Sequence, residues 1–308
     1  MKKLIGYLLT HVRADFDRTL YFRVLLFLTV CTTINYYLDF EDSIVDSYVG
    51  QPVRYVWYFL VYGFAYFGTI AIMSFSGRLP GIFRNRLFWI YSLTGIVVLS
   101  IEPEFSYSMG IWAGNQNTEL YYWNYKIMHE TAPLFCTLVP LYIFYRLYEK
   151  KTGNFYGLTV RNVDFRPYAL MLLIMVPPIF LASTQPDFLE TYPTYRQPLP
   201  TAQLGQPSWV LALAYEAAYG VAFVMTELMF RGFLVIGMAA VLGSEAVLPM
   251  VVTYAFLHFG KPLGETVGSV FGGYILGVLA LYSRNIWGGV AIHLGVAWLM
   301  ELAAWMHK

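Results

Sequence analysis

The sequence predicts an all-α polytopic membrane protein with about eight or nine transmembrane helices. Three observations carry that expectation. Of the 308 residues, 58% are hydrophobic and only 13% are charged, where soluble domains average about 25% charged. Mean hydropathy is +0.53. Apolar runs close to the roughly 20 residues of a bilayer crossing recur along the whole chain. A net charge of +1 offers no reason to expect nucleic acid or an acidic substrate as partner. The expected partners are membrane lipid and a membrane-associated peptide or protein.

The opening stretch places Lys2, Lys3, Arg13 and Arg18 around a short apolar run from Leu4 to Leu9. That run is short for a secretory signal and no small-residue cleavage site follows it, so the segment reads as a basic amphipathic lead-in. Candidate spans begin at about Leu20–Tyr37, Tyr55–Met73, Leu87–Ile101 and Ala132–Leu147. Further ones follow at about Tyr168–Ala182, Trp209–Val241, Ala246–Phe259, Val267–Tyr282 and Ile286–Trp305. The stretch from Trp209 is too long for one perpendicular crossing, so it is tilted or broken.

Basic residues gather in alternate loops: Arg78, Arg84 and Arg86, then Lys150, Lys151, Arg161 and Arg166. Acidic ones, including Glu41, Asp42, Asp46, Glu102, Glu104, Glu119, Asp187 and Glu190, occupy the others. The positive-inside rule then puts the N-terminus in the cytoplasm, which suits a bacterial inner (plasma) membrane. Cys31 and Cys136 sit in apolar stretches and read as small buried hydrophobes rather than a disulfide. The proline-rich interruption Ser183–Ser208 reads as an extracytoplasmic loop. The chain divides softly into N-terminal membrane helices, residues 1–165, and a core, residues 166–308.

That core holds the costly groups. Glu227 and Arg231 lie in Thr226-Glu227-Leu228-Met229-Phe230-Arg231-Gly232-Phe233-Leu234, His258 follows Tyr254-Ala255-Phe256-Leu257, and His293 lies in Val290-Ala291-Ile292-His293-Leu294. Ionisable groups at bilayer depth are expensive and usually face a bundle interior or cavity, where they mark function. The bland reading is that Glu227 and Arg231, four apart on one helix face with Glu216, neutralise each other. The sharper one is that Glu227, His258 and His293 converge on one pocket. Gly268/Gly272 and Gly273/Gly277 form two small-xxx-small pairs, expected to draw neighbouring helices together.

These segments together resemble the CPBP family of CAAX prenyl endopeptidases and bacteriocin-processing proteins. The family's Glu-Glu-x-x-x-Arg motif is met by Thr226-Glu227-Leu228-Met229-Phe230-Arg231, with Thr226 in place of the first Glu. Its aromatic-x-x-x-His is met by Tyr254 and His258. Its His-x-x-x-Asn begins at His293, but Ala297 replaces the Asn. The resemblance covers roughly residues 205–305, and Tyr156-Gly157-Leu158 is similar to a stretch preceding the family's core. It implies a CPBP-type helical core and an intramembrane endopeptidase acting on a membrane-associated or lipidated peptide. Glu227 and His258 would activate water, His293 would stabilise the oxyanion and Arg231 would hold Glu227. A hydroxyl cannot replace the missing carboxylate, so Glu227 itself would take the base role. Otherwise Glu301, on the same helix face as His293 and Ala297, would reach in from two turns along.

Thr226 and Ala297 equally suit a catalytically inactive relative that binds a membrane peptide or partner protein. A proton-coupled transporter relaying through Glu216, Glu227, His258 and His293 is a lesser alternative, without the broken repeats many transporters show. No cofactor is expected. Two His and a Glu are a conceivable zinc set, but His-Glu-x-x-His is absent and His258 and His293 are on separate helices.

Overall fold

Every regular element among the described residues is helical. The computed structural model describes residues 2–112, 119–149, 153–160 and 163–307; Lys150, Lys151 and Arg161, used above for orientation, lie outside them. In chain order the helices are α1 Lys2–Asp15, α2 Arg18–Leu38, α3 Val53–Phe75, α4 Arg86–Trp112, α5 Glu119–Thr131, α6 Val139–Phe144 and α7 Arg166–Ala182. They continue with α8 Pro186–Thr191, α9 Thr201–Leu204, α10 Ser208–Glu227, α11 Ala239–Leu242, α12 Val247–Phe256, α13 Leu263–Ser283 and α14 Trp287–His307. Among the described residues seven helical runs are long and apolar enough to cross a membrane, and Arg166–Ala182 is a shorter apolar one. The chain is therefore an integral membrane protein.

Local chemistry explains the breaks. Asp17 caps α2 by accepting from the Leu20 N–H at 2.9 Å, and Asp39 ends it in the left-handed region. The apolar run Ser208–Phe256 is 49 residues long, roughly 70 Å if it were one straight helix, and it is not one. A π-helix over Leu228–Gly237 follows α10, and Gly243, at φ +59°, turns the chain before α12. The expectation of a tilted or broken element is met by breakage.

Contacts divide the chain into two interleaved units. The first comprises Met1–Ile101, Lys151–Val163 and Leu228–Gly289. At its centre lies α12, buried at every residue and apolar on all sides, packed against α3 and α13. Of the two glycine pairs only the second makes a close approach. A Cβ at Gly273 would lie 3.1 Å from the Tyr254 ring and one at Gly277 would lie 2.5 Å from Met250, whereas Gly268 and Gly272 face open space.

Tyr156 and Gly157, both in the left-handed region, form a clasp on the π-helix. The Tyr156 ring packs edge-on to Phe233 at 5.3 Å, and a Cβ at Gly157 would meet Ile236 at 2.7 Å and the Asn285 backbone at 3.0 Å. The Ile286 N–H bonds the Gly157 carbonyl (3.1 Å) and the Trp287 indole bonds that of Leu158 (2.9 Å).

The second unit comprises Glu102–Lys150, Asp164–Glu227 and Val290–Lys308. In it α10 packs against α5 and the π-helical turn Leu134–Leu138. Phe188 and Tyr192 of the 183–207 connection bury themselves against Ala304 of α14.

Candidate functional site: a carboxylate–imidazole pair under an aromatic column

Steps of four residues along α10 carry Tyr215, Tyr219, Phe223 and Glu227, so these side chains follow one another down the helix. The rings touch in sequence: Tyr215 to Tyr219 at 6.0 Å between centroids, then Tyr219 to Phe223 edge-on at 4.8 Å. Phe223 then meets the His293 ring of α14 at 4.6 Å. The column ends on chemistry. His293 Nδ1 lies 3.0 Å from Glu227 Oε1, and Glu227 is fully buried. An Nδ1–H donating to that carboxylate fixes the ring's orientation.

The two substituted motif positions are inert in this unit. Thr226 spends its hydroxyl on its own helix, donating to the Ala222 carbonyl at 3.0 Å. Ala297 is buried among Tyr215 and Tyr219. Glu301 is engaged by Thr194: its carboxylate accepts the Thr194 N–H at 3.0 and 3.1 Å and the Thr194 hydroxyl at 2.8 Å. The same hydroxyl meets Tyr215 Oη at 2.8 Å.

In the first unit Arg231 and His258 share a different centre, the ring of Tyr254. The buried Arg231 guanidinium stacks 4.1 Å from its centroid, a cation–π contact. Phe230 packs edge-on at 5.0 Å and His258 at 4.6 Å. His258 Nδ1 lies 2.9 Å from the Tyr254 carbonyl. A carbonyl only accepts, so Nδ1 carries a proton in this contact. The His258 carbonyl is itself held by the Thr266 hydroxyl at 2.6 Å.

Motif reasoning therefore found the ionisable residues but missed Phe223, the rest of the aromatic column and Thr194. The repeat of Tyr215, Tyr219 and Phe223 ahead of Glu227 was the available signal. Among the described residues, the His/Cys/Asp/Glu group whose ligand atoms come together, within 4.8 Å, is Glu41, Asp42 and Asp46. Among the described residues no third ligand joins Glu227 and His293 in such a group.

Comparisons with curated proteins and with solved structures matched nothing. Residues 207–299, just under a third of the chain, match the family model described as type II CAAX prenyl endopeptidase Rce1-like. The matched residues include Glu227, Arg231, His258 and His293, so over this stretch the chain is similar to the CPBP, CAAX protease-like family.

Proposed function

We propose that the chain is an intramembrane endopeptidase in which Glu227 and His293 form the acid–base pair that activates water. The observation that carries this reading is the 3.0 Å contact between His293 Nδ1 and a fully buried carboxylate. It makes His293 the histidine that works with Glu227 in this reading. Glu227 holds the ring through Nδ1 while Nε2 takes a proton from water as the water oxygen attacks the peptide carbonyl carbon. Collapse of the tetrahedral intermediate breaks the C–N bond, and the departing amine takes the proton back from Nε2. The matched family's description makes a peptide with a prenylated cysteine near its C-terminus the first substrate class to try. The reaction as written needs no metal, so cleavage is expected to survive exhaustive chelation. A bacterial inner membrane and a cytoplasmic N-terminus complete the proposal.

A second reading, a non-catalytic CPBP fold that binds a membrane peptide, draws support from the inert Thr226 and Ala297. The full-length protein in proteoliposomes, given prenylated and unprenylated fluorogenic peptides, separates the two. Loss of a general base typically lowers the rate about 10²–10⁴-fold. Glu227→Ala and His293→Ala are expected to show losses of that order, while His258→Ala asks whether the Tyr254 cluster shares the reaction. Cleavage retained in all three variants removes the protease reading. Binding that survives in every variant, with no cleavage by the parent protein, establishes the second.

A further inference from the structure

α1 presents two faces with opposite fates. One is fastened to the first unit: Leu4, His11 and Asp15 are buried. The Asp15 carboxylate accepts from Arg78 at 2.8 Å and from Ser244 at 3.2 Å, and Arg78 reaches on to Glu245. Tyr7 stacks on Tyr282 at 5.5 Å, and the His11 ring meets Tyr274 and Tyr282 edge-on. The other face carries Ile5, Leu9 and Val12, continued just past the helix end by Phe16, exposed by 46%, 50%, 40% and 56%. Their spacing of four, three and four residues makes one continuous apolar stripe on a helix.

From these observations we infer that α1 is an in-plane helix that docks on an anionic lipid bilayer surface. Its 14 residues span roughly 21 Å, too little to cross, and its charges forbid crossing. A membrane-spanning helix, α2, begins at Arg18, directly after α1 ends at Asp15. The stripe is thereby tethered at the level where hydrocarbon gives way to headgroups. Lys2, Lys3, Arg13 and Arg18 are all exposed, while the helix's sole acid, Asp15, is turned inward and held by Arg78. The outward surface of α1 is thus cationic and apolar together, the combination that binds acidic phospholipid: apolar side chains enter the acyl boundary and cations meet phosphates. A second copy of the chain would bring the same cations against this face, and like charges oppose that pairing.

Environment-sensitive labels at Leu9→Cys, on the stripe, and Thr10→Cys, off it, test the proposal. They are placed in full-length protein with Cys31 and Cys136 replaced by Ser. The protein is reconstituted in phosphatidylcholine with or without phosphatidylglycerol, each doped with a nitroxide lipid. Quenching at position 9 is expected to exceed that at position 10 several-fold. It should rise with phosphatidylglycerol and lose that rise in a Lys2→Gln/Lys3→Gln/Arg13→Gln variant. Equal quenching at both positions, or indifference to phosphatidylglycerol, overturns the proposal. So does label self-contact that grows with protein density, which would place a second copy on the stripe. Hydrogen exchange of the unsubstituted protein in the same two lipids needs no variant. α1 amides should be more protected with phosphatidylglycerol, and identical exchange counts against the proposal.

Discussion

Replacing Gly232 by Ala tests whether the Tyr156 clasp constrains the π-helix. A new Cβ at Gly232 would lie 2.9 Å from the Tyr156 carbonyl oxygen, 3.1 Å from Tyr156 Cβ and 3.2 Å from Leu228 Cδ1. The nearest atom belongs to backbone, so no rotamer change relieves it. The backbone is held in turn by Gly157, whose N–H bonds Asn154 Oδ1 at 3.0 Å and whose carbonyl accepts from Ile286. Gly→Ala in a helix gains up to about 1 kcal/mol, and overpacking a rigid site opposes that with about 1–3 kcal/mol. With the clasp unable to yield, the upper end applies and the net effect is about 2 kcal/mol of destabilisation. At a few degrees per kcal/mol for a unit of this size, the apparent Tm falls by roughly 4–8 °C. Gly268→Ala is the control: nothing lies within 4 Å of its Cβ, so the helix gain stands alone and the Tm stays level or rises slightly. Intrinsic-fluorescence melts in detergent at one fixed scan rate provide the comparison, because unfolding of such proteins is often irreversible. A Gly232→Ala protein melting at or above the parent refutes the reasoning.

Glu41 lies between the first two spanning helices, and burial, with Asp46 and Asp42 beside it, pushes its carboxyl up to about 7 from the ordinary 4.5. The unfolded chain ionises first, so the stability this group contributes is full below pH 4.5 and is lost as pH rises through about 7. Glu41→Gln should therefore melt like the parent near pH 4.5 and above it at pH 8, by up to about 3 kcal/mol; a constant difference across that window would refute this. Glu301→Ala removes the acceptor for Thr194 and should loosen the 183–207 connection by about 2–4 kcal/mol. Limited proteolysis reads that loosening, and lost activity with an unchanged cleavage pattern would instead assign Glu301 a direct role in the reaction.

Much of this architecture was legible because bilayer chemistry leaves few choices. Apolar runs had to be helices, and a Glu and a His deep in such runs had to find polar company. The contact between Glu227 and His293 joins residues far apart in sequence; the cost of burying such groups alone, together with order and spacing shared with a family, hinted at it. The α-helical spacing assumed between Glu227 and Arg231 gives way to a π-helix from Leu228, a change that periodicity could not foresee. Glu301 shared a helix face with His293, yet periodicity could not reveal that a loop residue, Thr194, would claim its carboxylate. Gly268/Gly272 and Gly273/Gly277 were indistinguishable as strings; only the second pair has a neighbour close enough to need it.

The anchoring of residues 183–207 also changes what that segment is as a polymer. Ser183 is bonded to His307, Tyr192 packs on Ala304 and Thr194 is held by Glu301, three consecutive attachments to α14. The configurational freedom of a chain depends on the distance between its fixed points, so one long connection becomes a series of short ones. Beyond them lies the exposed tip Arg196–Pro198. An epitope inserted after Gln197 extends only that exposed tip and should leave the protein folded and antibody-accessible in intact membranes. The same insertion after Pro193 falls between two attachment points and should unseat both.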